Sequence, residues 1–309
     1  MSRRAKHELW HNTVKFRGIL LLAAPGALLL LAFSYMPMIG VIIPFKKIDY
    51  AKGILASDWV GLTNFTFLFR GGDIWRAARN TLIQNALLIS TTLVVSLCLA
   101  LILYELSSRM VKTYMTMLFV PYFLSWVVVG YVVYAFLNPS IGIVNRLMRS
   151  FGQVGRINWY VEPKRWRAIL TIAYLWKNVG YFTILYYASL MGIDEGYYEA
   201  SSIDGAGKLQ QIFHISIPLL SPVVIMLTLL QIGKIFFSDF GLFYFVPKNS
   251  GALYAVTDVI DTYVFRSLQM SPNLGMTAAA GLCQTVAGFI LVMLTNAVVH
   301  RLDAERALF

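Results

Sequence analysis

Residues 80–104 read NTLIQNALLISTTLVVSLCLALILY, 25 residues without one Asp, Glu, Lys or Arg. A helix rising 1.5 Å per residue needs about 20 apolar residues to cross the hydrocarbon core of a bilayer. Five further runs reach that length, at 18–38, 113–137, 168–191, 215–238 and 276–298. None shows the dyad alternation of a barrel strand, and an open sheet would leave backbone groups unpaired in lipid. The expected fold class is an all-α membrane protein. It is a polytopic bundle of about six transmembrane helices in a single domain over 1–309.

Composition agrees. The chain has 309 residues, 58% of them hydrophobic, and only 13% are charged. Soluble domains carry about 25% charged residues. Cys98 and Cys283 both fall inside apolar runs and read as small buried hydrophobes, not a disulfide pair. The net charge of +11 sits between apolar spans and forms no nucleic-acid-binding motif, so no nucleic acid is expected as a partner. The first run is longer than the 7–15 residues or so of a signal-peptide core and is followed by no small-x-small cleavage site. It reads as a retained span. Small residues in "AAPGA" and "MTAAAGL" suit close helix packing, or are simply tolerated.

Orientation is less direct. An even number of spans puts both termini on one side, and Arg3, Arg4, Lys6, Lys15 and Arg17 favour the cytoplasm for that side. With the N-terminus inside, however, inner segments hold ten Lys and Arg and outer segments fourteen. The charge rule therefore gives no clean answer. The outer net charge of +7 in that orientation would attract anionic solutes, or belongs to solvated loops of no special purpose.

One polar stretch interrupts the apolar runs. Residues 196–222 read GYYEASSIDGAGKLQQIFHISIPLLSP. Small residues Ala200, Ser201 and Ser202 lie on a short helical segment. Asp204-Gly205 is a turn signal, and Asp204 can cap the helix that follows. Leu209, Ile212 and Phe213 then share a face at i, i+3 and i+4. Pro218 sits near the entry of the fifth span, where a missing N–H does least harm. The pattern is a helix–turn–helix at a membrane edge, either an ordinary interfacial loop or a docking element.

Several chemistries are excluded. "DGAGKLQ" fails as a phosphate loop, because position 202 is Ser and Leu209 follows Lys208. Of His7, His11, His214 and His300, none falls within an expected span, which argues against an intramembrane metalloenzyme. No carboxylate pair lies inside the apolar runs to relay protons. No metal site is expected, and energy for transport should come from elsewhere. The chief alternative is an ion-coupled secondary transporter, which would show repeated, Gly- or Pro-broken spans at matching places and intramembrane ionisable pairs; neither is clear. An intramembrane hydrolase is disfavoured because no triad can be assembled.

The stretch resembles the membrane subunits of ATP-binding-cassette importers. Their pattern is E-A-A, three residues, Gly, nine residues, I-x-L-P. This chain has Glu199-Ala200-Ser201, Gly205 and Ile215-Ser216-Ile217-Pro218 at that spacing, departing at Ser201 and Ile217. The longer reading, with "IGKIFFSDFGLFYFVPKNSGALYAVTDVIDTYVFR" at 232–266, is similar to permeases for complex oligosaccharides and polysaccharide fragments. The resemblance implies that loop 192–214 is cytoplasmic and docks on a separate ATPase. Glu199, Ala200, Ser201, Asp204, Gly205, Ile215 and Pro218 would carry the coupling. It also implies a cell-membrane assembly with cytoplasmic termini. A second, related permease (a heterodimer), two ATPase subunits and an extracytoplasmic solute-binding protein complete that assembly. This chain would not be an enzyme and would bind no cofactor, with ATP and Mg on the partner subunits.

The solute path is read from polar residues within the spans. Lys177 lies roughly 14 Å into the fourth span, and Lys234 roughly 24 Å beyond Pro218. Charges at that depth usually face water or a partner. Asn178, Gln231 and Gln284 lie at comparable depths, and Trp176, Tyr181 and Tyr187 offer aromatic faces to sugar rings. The alternatives are that Lys234 pairs with Asp239 or snorkels, and that the aromatics only pack helices. If both lysines line the path, an acidic, uronate-type oligosaccharide is favoured.

Overall fold

The structure is a computed structural model that describes residues 15–70, 72–152, 155–270 and 273–302. Arg3, Arg4, Lys6, His7 and His11, and with them the reading of both termini, lie outside the described residues. Twelve helices are named here. They are α1 (Arg17–Phe45), α2 (Thr63–Arg70), α3 (Gly72–Tyr104), α4 (Ser108–Phe123), α5 (Trp126–Leu137) and α6 (Ile143–Ser150). Then follow α7 (Trp166–Leu190), α8 (Glu195–Ile203), α9 (Lys208–Ile232), α10 (Phe240–Phe245), α11 (Ile260–Met270) and α12 (Leu274–Leu302). A two-residue antiparallel ladder pairs Lys46 with Trp59 and Lys47 with Asp58.

Five helices are long and apolar enough to cross a membrane, and α4 with α5 makes a sixth if the bent pair counts as one span. The 80–104 run extends back to Gly72 as α3, which packs along α7 at the centre of the bundle. The buried face of α3 carries Asn80, Gln84, Asn85, Thr92 and Ser96, while Leu82, Ile83, Val94 and Ile102 face outward. Lipid offers helices no hydrophobic reason to associate, so polar and small groups turn inward, where they find partners.

α1 is the opposite case. Arg17–Leu30 has no buried residue, and the helix packs on α12 through Met36–Phe45. A π turn at Leu31–Tyr35 precedes Pro37, and a second at Ile212–Ser216 precedes Pro218. In each, one N–H reaches back five residues, from Met36 to Leu31 and from Ile217 to Ile212. That shift accommodates the proline that follows. Pro218 thus lies well inside a continuous helix beginning at Lys208, rather than at the entry of a span. His214 and His300, expected outside the spans, likewise fall within α9 and α12.

Two spans expected to be continuous are broken. The third turns by 101° between α4 and α5. Pro121 stands in the last turn of α4, Leu124 is extended, and Ser125 caps α5 by accepting from the Val128 N–H. The fifth, expected to run to 238, stops as a helix at Ile232. There Gly233 crosses α12, and a Cβ on it would lie 2.6 Å from Val292. Lys234 therefore projects from a turn, not from a helix.

Candidate functional site

Irregular backbone at membrane depth is tolerated only where neighbours satisfy it. Beyond Gly233, Asn85 donates to the carbonyls of Ile235 at 2.7 Å and Phe237 at 3.1 Å. Gln284 donates to Phe236 O at 2.8 Å, and Asp261 accepts from the Ser238 N–H at 2.8 Å. Burial pushes the Asp261 carboxyl above the usual carboxylate range, against the pull of the Ser238 and Gln284 hydrogen bonds. At the other break, the Lys177 ammonium donates to Tyr122 O at 2.6 Å and stands 5.4 Å from the centre of the Trp126 ring. Asp239 joins the two breaks. It caps α10 through Gly241 N at 3.1 Å and accepts from Trp126 Nε1 at 2.6 Å.

Beside this junction α3, α7 and α9 leave a half-open cleft of about 380 Å³. Asn85, Tyr174, Tyr181, Gln231, Lys234 and Asp239 supply its polar and aromatic groups. Lys234 is exposed, and among the described residues no acid lies within ion-pair distance of it, Asp239 included. Gln231 Nε2 is buried there without a hydrogen-bond partner.

The cleft gathers three of the eight expected path residues: Tyr181, Gln231 and Lys234. Lys177 is only 8% exposed and holds the third span's break instead of facing the cleft. Gln284 is buried and holds the fifth span's break. Trp176 is exposed and Asn178 donates to Tyr174 O at 3.0 Å; neither lines the cleft. Tyr187 packs edge-on against Tyr104. Asn85 was missed by sequence reasoning. Its signal was present as Asn80, Gln84 and Asn85 recurring on one face of a charge-free run.

At one end of the bundle the 192–214 stretch folds as α8, a turn and the start of α9. Asp194 caps α8 by accepting from Gly196 N at 2.8 Å. α8 ends with Gly205 at φ +81°, and two hydrogen bonds close the turn, Ala206 N to Ser201 O and Gly205 N to Ser202 O. This left-handed ending suits glycine because it has no Cβ to clash. Asp204, expected to cap the next helix, instead sits at the C-terminus of α8. Gly207 precedes α9, its N–H donating to Gln210 Oε1 at 2.8 Å.

Buried Gln211 ties the two helices together. It donates to Ser201 Oγ and Ser202 Oγ, both at 2.9 Å, and Tyr198 meets Ser216 at 3.0 Å. Lys208 pairs with Glu105 at 2.9 Å, at the end of α3. Sequence reasoning found neither Gln211 nor Glu105, whose partners are set only by the fold. Glu199 and Ala200 are exposed, and so are Ile203, Leu209 and Phe213 at 87%, 72% and 63%. Ile215 is half-buried behind them. The element thus presents an apolar and acidic outer face on a hydrogen-bonded frame. Among the described residues no cluster of His, Cys, Asp and Glu has metal-binding geometry.

Comparisons with known proteins converge. The profile of the family "binding-protein-dependent transport system inner membrane component" matches residues 96–304. The polygalacturonan/rhamnogalacturonan transport system permease protein YteP of Bacillus subtilis (strain 168) is 32% identical over 305 residues, covering 98% of this chain and 94% of that one. Among solved structures, a bacterial ABC transporter involved in the import of the acidic polysaccharide alginate superposes with a TM-score of 0.87 at 28% identity. That match covers 96% of this chain and 99% of the other. A second structure, of a bacterial alginate ABC transporter in complex with an alginate pentasaccharide-bound periplasmic protein, gives 0.85 at 28% identity, covering 95% and 98%.

Proposed function

The chain belongs to the family of binding-protein-dependent transport system inner membrane components, and from that premise we propose that its cargo is an acidic, uronate-type oligosaccharide. It is a multi-pass permease subunit of an ABC importer in the inner membrane, not an enzyme, and it works with a solute-binding protein. The observation that carries the cargo reading is the cleft beside Lys234. An exposed ammonium without an acidic partner, an unpaired buried amide on Gln231 and the Tyr174 and Tyr181 rings converge there. Carboxylate would meet the ammonium, a hydroxyl would accept from the amide, and the apolar face of a pyranose would lie on the rings. Relatives that handle polygalacturonan, rhamnogalacturonan and alginate support the same chemistry.

The proposal extends to assembly. The element at 192–214 faces the cytoplasm and docks on an ATPase subunit through Glu199, Ala200, Ser201 and the exposed Ile203 and Leu209. Asp204 and Gly205 set its turn, while Ile215 and Pro218 pass the motion into α9. ATP and Mg are bound by two such ATPase subunits. The unburied face of α1 is left for a second, related permease or for lipid. Both chain termini lie on the cytoplasmic side. The whole chain acts as one transmembrane domain.

Uptake by vesicles containing the full assembly tests the cargo. Trigalacturonate uptake should require internal ATP and survive collapse of ion gradients, and Lys234→Gln should lower it more than uptake of the carboxyl-reduced trimer. Equal effects on both sugars would remove the charge argument.

A further inference from the structure

At the end of the bundle opposite the 192–214 element, the chain adopts an unfavourable turn. Lys248 and Asn249 have φ of 55° and 47°, two consecutive left-handed residues, neither of them glycine. Such a conformation costs an L-residue about 1–2 kcal/mol, and it persists only where surroundings over-determine it. Here they do. The Asn249 N–H donates to Tyr244 O at 3.0 Å. Asn249 Oδ1 accepts from Tyr254 OH at 2.9 Å and from Arg266 Nη1 at 3.2 Å. The turn carries the Lys248 ammonium to 3.2 Å from the centre of the Tyr134 ring and 5.4 Å from that of Tyr131. Among the described residues no carboxylate pairs with it. A cavity of about 340 Å³ opens beside it, lined by Tyr131, Tyr244 and Lys248 among others. The Tyr244 ring is fixed by stacking on Phe240 at 5.0 Å.

We propose that Lys248, Tyr131 and Tyr244 form a second uronate subsite at the outer mouth of the bundle, apart from the Lys234 cleft. It rests on the cargo reading above. The ammonium binds a carboxylate, and the two tyrosine rings bracket the apolar face of the sugar. The strained turn is what holds the cation at the rim instead of letting it extend into water.

The test is uptake kinetics in vesicles holding the complete importer, with trigalacturonate and its carboxyl-reduced trimer as probes. Lys248→Met keeps the aliphatic stem over Tyr134. It should raise KM for trigalacturonate about tenfold, a loss of about 1.4 kcal/mol, leaving the maximal rate and the reduced trimer unchanged. Lys248→Arg should retain uptake. Tyr131→Ala, at a residue 66% exposed, should weaken both sugars alike. Equal loss for both sugars with Lys248→Met, or no loss for either, overturns the subsite while leaving the cargo reading intact. Failure of the unsubstituted importer to take up trigalacturonate overturns the cargo reading and the subsite with it.

Discussion

Lys177 donates its ammonium to the main-chain oxygen of Tyr122 at 2.6 Å, next to the point where the third span turns by 101°. The ammonium replaces the hydrogen bond that the interrupted helix can no longer supply. A hydrogen bond to a charged group contributes about 1.5–3 kcal/mol. Lys177→Gln should therefore lower the unfolding temperature of the purified assembly and reduce uptake of neutral and acidic oligosaccharides equally. A loss confined to acidic sugars would place Lys177 on the solute path.

Asn85 donates to two carbonyls of the fifth span's break, those of Ile235 and Phe237. Leaving buried acceptors without a donor costs about 1–3 kcal/mol. Asn85→Leu should destabilise the complex by that amount in thermal unfolding, although it makes the helix more apolar. An unchanged unfolding temperature would mean that the break has other support.

Asp261 has its carboxyl held above the ordinary range by burial. Its contribution is fully present below the unfolded pKa and is lost as pH rises through the higher, folded value. Asp261→Asn keeps an oxygen for the Ser238 N–H and removes the charge. The variant should match the parent at low pH and become the more stable of the two as pH rises. Unfolding temperatures across pH 4–8 or so check this, and a parent that gains stability on ionisation would reverse the assignment.

Gly180 packs so closely on α4 that a Cβ would lie 2.1 Å from Leu118 O. The backbone fixes the position of a Cβ and Leu118 O is main chain, so no rotamer relieves the clash. Overpacking of this kind costs about 1–3 kcal/mol or more. Gly180→Ala should cut the yield of assembled complex, whereas Gly281→Ala, with open space around it, should not.

Gly205 and Gly207 separate turn strain from mere sequence change. Gly205 has φ +81°, and a β-branched residue there is strained by about 1–2 kcal/mol. A Cβ on Gly207 would make only an ordinary contact, 3.9 Å from Gln210. Gly205→Val should leave ATP hydrolysis running while uptake falls; Gly207→Ala should preserve both. Normal uptake by Gly205→Val would show that the turn does not transmit motion.

The spans were legible because bilayer thickness sets their length, and every one of the six runs lies on a helix or a broken helix. The breaks were not. Pro121 resembles Pro25 and Pro222, which sit inside unbroken helices, so proline alone carries no distinguishing signal. What decides is the partner: Lys177 for Tyr122 O, Asn85 and Gln284 for the carbonyls after Gly233. For the same reason two residues marked as solute contacts, Lys177 and Gln284, are found bonded to backbone carbonyls at the breaks. Polarity at membrane depth shows that a side chain needs a partner, and only the fold shows whether that partner is backbone or solute. The helix–turn–helix at 192–214 was legible through its spacing and turn residues, but Gln211, which ties its two helices together, looked like any exposed helical glutamine.

The central claim, that 192–214 is a cytoplasmic handle gripped by an ATPase, is tested most directly by thiol labelling. Ile203→Cys, at a position 87% exposed, is introduced with Cys98 and Cys283 replaced by Ala. A membrane-impermeant maleimide is then applied to sealed vesicles of each orientation. Labelling should occur only in inside-out vesicles stripped of ATPase, and rebinding the ATPase should block it. Labelling from the outer side, or labelling that the ATPase leaves untouched, would contradict the claim.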